Sequence, residues 1–251
     1  MIFKRQVKNG FFIEAGADDF EKDSNSLLFE MKHGWNGLLV EPNPTIYPKG
    51  FLKHRKAWGA PNCLATMARP HIVQFTGRLF EGGMAAISPE KREDTYDMQC
   101  FPLYSLLLAA AGNITVNYLS LDIEGAEFLV LQTIPWDKVD IEVITVETNH
   151  AGEVFPGSKQ EIRDYMADQG YVYVHTVESK NANNKRPQLT HLVIILVDDV
   201  FVRKDLYEGK YAPDMQAWEK FDEVMRQLQL SDEEENSKTE GMNMNIEKEE
   251  L

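Results

Sequence analysis

Apolar positions along the chain fall into two spacings, continuous short runs and recurrences at every third or fourth residue. The first reads as buried strand, the second as helix with one inward face. Phe11 to Ala15 (FFIEA) is a short run that ends at Gly16. Ser24 to His33 has helical spacing, with Leu27, Leu28 and Met31 on one face. Asp23 or Ser24 can cap it by accepting from a free first-turn amide. Gly37 to Glu41 (GLLVE) is a second strand, closed by Pro42, and Thr45 to His54 is a helix interrupted by Pro48 and Gly50. Residues 55–100 are the least regular part, with one strand at His71 to Thr76 and a glycine loop in EGGMAAI.

Order returns at residue 102. Pro102 to Ala111 reads as a helix with proline in its first turn. Val116 to Asp122 is a strand, Ala126 to Ile134 a helix, and Ile141 to Glu147 a strand dense in β-branched residues. Lys159 to Gln169 is a helix stopped by Gly170, followed by a strand at Tyr171 to Val177. A polar loop, Lys180 to Arg186, leads to Leu189 to Val202, one long strand or two joined at Asp198–Asp199. Asp214 to Leu228 closes as an amphipathic helix with Trp218, Phe221, Met225 and Leu228 on one stripe. Strand and helix alternate as far as residue 169, which predicts a parallel sheet with right-handed crossovers. Two strands without a helix between them then predict a hairpin at one sheet edge.

Composition narrows the function. The chain has 251 residues, 43% hydrophobic and 26% charged, which is ordinary for a globular protein. A formal charge of −14 disfavours a nucleic-acid binder, which needs a basic face, and docking to anionic lipid. No run reaches the ~18–20 apolar residues that span a bilayer, and the longest, Leu192 to Val197, is strand-sized. The N-terminus has no apolar signal core, so the expected default is a soluble, cytoplasmic chain. The last 21 residues hold eight acids and two lysines and no aromatic residue, so Ser231 to Leu251 is expected to be a disordered acidic tail on a domain of residues 1–230. Cys63 and Cys100 are too few for a disulfide scaffold; they read as two buried thiols, or as one bridge in an oxidising compartment.

Ligands of open α/β sheets bind beyond the carboxyl ends of the strands. Here those ends read Glu14-Ala15-Gly16-Ala17, then Glu41, then Asp122-Ile123-Glu124-Gly125, then Glu147-Thr148-Asn149-His150. Acids gathered there repel one another, and a purely structural sheet has no need of them. Glu41 is placed to accept hydrogen bonds from a ribose diol. No phosphate cradle accompanies it, neither G-x-x-x-x-G-K-[ST] nor G-x-G-x-x-G. A ribose acid without a phosphate loop points to a nucleoside ligand lacking phosphates, such as S-adenosylmethionine, whose amine and sulfonium are positive. Glu127 suits the first turn of its helix on dipole grounds alone. His150 titrates near neutrality and serves either as a base or as a surface residue. Asp122, Glu124 and His150 have no diagnostic metal-ligand spacing, and no metal is assigned.

The segments FFIEAGADD, WNGLLVEPNP, CFPLYSLLLA, NYLSLDIEGAEFLVLQTIPWDKVDIEVITVE and DDVFVRKD resemble the FkbM-type methyltransferase domain, in its animal Star-like branch. The likeness runs from about Gly10 to Leu206 and is most specific between Asn117 and Glu147. It implies a class I, Rossmann-like fold: a mostly parallel seven-stranded sheet with one antiparallel strand and helices on both faces. It implies an S-adenosylmethionine pocket with Glu14, Gly16 and Ala17 at the methionine end and Glu41 on the ribose hydroxyls. Asp122, with Glu124 behind it, would face the methionine amine and the reacting centre.

The chain departs from the family pattern at Phe20, where glycine usually follows Asp19, and in the long apolar run LTHLVIILV. The expected activity is O-methyl transfer to a small-molecule or protein acceptor, with His150 or an acid near Asp122 taking the proton. The alternative is a non-catalytic trafficking module. Star-like members are associated with the endoplasmic reticulum, Golgi and endosomal membranes and assist export of membrane-protein cargo, and a lumenal setting would favour a Cys63–Cys100 bridge.

Overall fold

A computed structural model of the chain describes residues 7–22, 24–76, 95–177 and 198–207. The expected loops at EGGMAAI and Lys180 to Arg186, the run before Asp198, the closing helix and the acidic tail lie outside these residues, as does Asp23.

The first half builds β1 (Phe11–Ala15), α1 (Leu27–His33), β2 (Asn36–Val40), α2 (Tyr47–Phe51), β3 (Trp58–Ala60), β4 (Cys63–Leu64), β5 (His71–Thr76) and β6 (Thr95–Phe101). The second builds α3 (Leu103–Ala111), β7 (Thr115–Leu121), α4 (Glu127–Thr133), β8 (Asp140–Glu147), α5 (Lys159–Asp168), β9 (Tyr171–Val177), β10 (Asp198–Arg203) and α6 (Lys204–Tyr207). β1 is buried at every position, as a continuous apolar run in a two-faced sheet must be. Pro102 stands as the N-cap of α3, just before the turn the sequence placed it in. α5 opens on a capping box in which Ser158 and Glu161 satisfy each other's backbone amides.

Seven strands form one sheet in the order β3-β2-β1-β7-β8-β10-β9. β1 pairs parallel with β2 and β7, β2 with β3, and β7 with β8. β10 runs antiparallel to β8 and β9, so the predicted hairpin exists and its second strand is slotted inside the edge. Ile13, Ala15, Val116, Leu119, Leu121, Ile144 and Val146 form a core with Leu103 and Leu107 of α3, Val130 and Leu131 of α4, and Ile162 and Met166 of α5. The opposite face takes α1, through Phe29 edge-on to Tyr118 at 5.2 Å. Helices therefore cover both faces, and the fold is the class I methyltransferase arrangement.

Two local expectations change. α1 starts at Leu27, and its Met31 is 72% exposed, so the Leu27–Leu28–Met31 stripe is not the inward face. Glu30 is buried instead, because Arg55 supplies its charge partner at 2.9 Å. The irregular stretch before residue 100 holds a second sheet in the order β4-β6-β5, which places Cys63 opposite Cys100. The two are joined in a disulfide. Of the two readings the sequence left open, the bridge is the one the structure contains. It packs with Ala65, Phe75 and Ala126 against the turn that follows β7.

Candidate functional site

Parallel pairing brings the carboxyl ends of β1, β2, β7 and β8 to one edge of the sheet. β10 runs the other way, so its first residue, Asp198, stands opposite Glu147 at that same edge. Glu14, Glu41, Asp122 and Glu147, acids of four separate sequence regions, thus share one rim.

The turn after β1 is set by a backbone contact. Gly16 has φ +85°, and a Cβ there would lie 1.7 Å from the carbonyl oxygen of Asp122. The amides of Gly16 and Ala17 donate to the Val40 carbonyl at 3.0 and 3.2 Å, and that of Asp122 donates to Ala15 at 3.1 Å. Glycine is required here so that β7 can close on the turn. Glu14 faces back into the same loop. Its carboxylate accepts from the Asn25 amide at 2.6 Å, from Ser24 Oγ at 2.8 Å and from Ser26 Oγ. Burial raises its pKa against these hydrogen bonds.

Arg55 completes the loop. Its guanidinium is 3% exposed, pairs with Glu30, and donates to Ser24 Oγ at 3.2 Å, to Ser26 Oγ at 3.0 Å and to the Phe20 carbonyl. Phe20 holds φ +69°, a left-handed conformation that glycine adopts more readily than a residue with a Cβ. Its ring is seated on α2, edge-on to Tyr47 at 5.5 Å and over Gly50, where a Cβ would meet it at 2.7 Å.

Glu41 lies just past β2. Its Oε2 accepts from the Asp18 amide at 3.0 Å and its Oε1 from the Asn43 amide at 2.8 Å. Burial pushes its pKa up to about 7 despite these two donors. The Tyr96 hydroxyl is buried with no hydrogen-bond partner among the described residues, and burial and the nearby Glu41 push its pKa up to about 12.

Beyond β7 and β8 the acids crowd. Oxygens of Asp122, Glu127 and Glu147 lie within 4.8 Å of one another. Glu127 Oε1 accepts from the amides of Ile123 and Gly125 at 2.8 and 3.1 Å, which pins the turn. Burial, then Glu124 and Glu127, pushes Asp122 up to about 7. Burial, then Asp122, pushes Glu147 to about 9 and Asp198 to about 8. His150 stands on the rim, its Nε2 at 3.4 Å from Glu124 Oε2 and its Nδ1 at 3.0 Å from Glu153 Oε2. The hydrogen bond to Glu153 raises its pKa.

The structure thus gathers Asp122, Glu124 and His150 around the turn after β7, with Glu41 at the same edge past β2, on the far side of β1. Glu14 serves the loop with both its oxygens. Sequence reasoning passed over Arg55, Tyr96 and Asp198. Asp198 had a signal: an antiparallel strand must begin where its parallel neighbour ends. Arg55 and Tyr96 lay in the stretch without readable periodicity and had none.

Strand order and acid-lined rim define a class I, Rossmann-like methyltransferase fold. A model of the methyltransferase FkbM domain matches residues 14–173, and the chain belongs to that family. Solved structures similar to it include one titled as a pericyclic reaction enzyme, at 10% identity and a TM-score of 0.37, and LepI in complex with SAM, at 9% identity and a TM-score of 0.37. Each match covers 78% of this chain but 43% of the other, so the chain spans less than half the length of those proteins. No curated protein matches the chain.

Proposed function

We propose that the protein is an S-adenosylmethionine-dependent methyltransferase acting on a hydroxyl oxygen of a small molecule or protein. The observation that carries this is the meeting of Glu41, the Gly16–Asp122 contact and Asp122 at one sheet edge, inside the family's span.

The donor set fits the cofactor. Each Glu41 oxygen takes one amide and keeps a second lone pair, which suits a ribose diol. Tyr96 offers an unpartnered buried hydroxyl near it. The acids beyond β7 suit a ligand bearing an ammonium and a sulfonium. S-adenosylmethionine, when bound, supplies an electrophilic methyl carbon on positive sulfur. One Asp122 oxygen would hold the ammonium, and the turn at Gly16 and Ala17 would bound the methionine end. Glu14 and Arg55 fix that turn from behind as positioning residues. His150 takes the acceptor's proton at Nε2, and Glu124 steadies the charged imidazolium. The neighbouring carboxylates raise the His150 pKa, so its base form is the high-pH form. The part left to the chain's own residues would be to hold the acceptor hydroxyl in place, so much of the rate would come from positioning.

Calorimetric titration with S-adenosylmethionine and S-adenosylhomocysteine tests this. The expected result is a Kd on the order of micromolar, about −8 kcal/mol, that is lost in folded Glu41→Ala. Failure of the folded wild-type protein to bind either ligand overturns the reading and leaves the non-catalytic, cargo-binding alternative.

A further inference from the structure

Five carboxylates, Asp122, Glu124, Glu127, Glu147 and Asp198, crowd this edge. Among the described residues no lysine or arginine forms an ion pair with any of them; His150 alone approaches Glu124 and Glu147. The oxygens of Asp122, Glu127 and Glu147 come within 4.8 Å of one another, and so do the donor atoms of Glu124, Glu147 and His150. Glu147 belongs to both groups. Close-packed carboxylate oxygens are the ligand set of a hard divalent cation.

An acidic cluster alone does not make a site, but two buried groups here are left bare. Glu147 is 3% exposed, and its Oε2 has no hydrogen-bond partner among the described residues. Asp198 is 2% exposed, comes from a separate strand, stands in register opposite Glu147, and leaves its Oδ1 equally unpartnered. Buried polar atoms in native proteins are nearly always satisfied. Glu127 Oε1 is held by the amides of Ile123 and Gly125, which fixes its carboxylate beside Asp122 and Glu147. An ion among Asp122, Glu127 and Glu147 accounts for the bare Glu147 carboxylate, and its charge offsets that of Asp198 alongside.

We propose that Asp122, Glu127 and Glu147 bind a single divalent cation of the magnesium–manganese class, with Asp198 as a fourth acid beside it and Glu124 and His150 at its open side. Such ions keep several exchangeable positions after binding a few carboxylates. One consequence rests on the methyl-transfer reading: an acceptor hydroxyl coordinated at an open position gives up its proton more readily, and His150 is there to take it.

The test uses the full chain, stripped with a chelator and titrated with Mn2+, with free ion read by electron paramagnetic resonance. Wild type is expected to bind one ion and to melt higher when loaded. Glu147→Gln keeps the side-chain shape and removes the carboxylate common to both groups. It should weaken binding by ~10-fold or more and abolish the thermal shift. Asp198→Asn should weaken binding several-fold, and carries the comparison if the metal-free melt shows Glu147→Gln to be unfolded. Equal affinity in the wild type and the folded variant, as binding by the acidic C-terminal tail would give, overturns the proposal. So does absence of Mn2+ binding to folded wild type. No cofactor enters these readouts, so their failure is separable from failure of the cofactor titration.

Discussion

Glu41 keeps a carboxylate at a strand end that is 7% exposed. Its pKa, raised from 4.5 to about 7, means that the folded state holds the proton more tightly than the unfolded chain does. The resulting stability is fully present below the unfolded value and is lost as pH rises through about 7, a span worth roughly 3 kcal/mol at most. Wild type should therefore lose stability between pH 5 and pH 8, and Glu41→Gln should lose less. Asp122, Glu147 and Asp198, raised in the same direction, act on both proteins and drop out of the difference. Urea midpoints across that range would check this; identical pH slopes would sink it. The placement of Glu41, Asp122 and Gly16 just past strand ends was legible residue by residue, because each closes a continuous apolar run. What Gly16 accommodates was not. The close approach comes from Asp122's own backbone, a contact between residues over a hundred positions apart that no local pattern records.

Among the elements, α1 shows how a polar partner overrides periodicity. Its spacing put Leu27, Leu28 and Met31 inward, yet Glu30 is buried, because Arg55 arrives from beyond α2 to neutralise it. Removing one member of a buried ion pair leaves the other bare and costs about 3–5 kcal/mol. Arg55→Met should lose stability on that scale in chemical denaturation, since Ser24, Ser26 and Phe20 lose their donor as well. The Arg55→Met/Glu30→Leu double variant should recover part of the loss. A single-variant cost below about 1 kcal/mol would mean that the network is a surface-grade pair. The hairpin of β9 and β10 was readable because two strand patterns followed without a helix. Its insertion, with β10 between β8 and β9, was not, since nothing in either strand names its neighbour.

At the scale of the whole molecule, a three-stranded sheet stands beside the seven-stranded one and packs against the turn after β7. The Cys63–Cys100 bridge spans 37 residues and ties β4 to β6, so it restricts the unfolded chain as well as bracing that contact. Loop-closure entropy for such a separation is worth about 2–4 kcal/mol. The Cys63→Ala/Cys100→Ala variant should be less stable by that amount, and dithiothreitol should lower the melting temperature of wild type alone. A reductant effect of equal size in both proteins would refute the assignment.

Alternating strands and helices, the acids at strand ends and the missing phosphate loop follow from local sequence, because periodicity and turn chemistry act over a few residues. They were enough to reach a parallel sheet with an edge hairpin and the rim on which Glu41, Asp122 and His150 sit, while the class I arrangement was implied by the family resemblance. Among the described residues no helix is long and apolar enough to cross a membrane, in keeping with the apolar runs of the sequence. The tertiary structure decided what depends on distant partners: the burial of Glu30 by Arg55, the pairing of Cys63 with Cys100, and the meeting of Glu147 with Asp198. Burial and charge pairing are set by which strand lies beside which, and that is a property of the assembled sheet, not of any one segment.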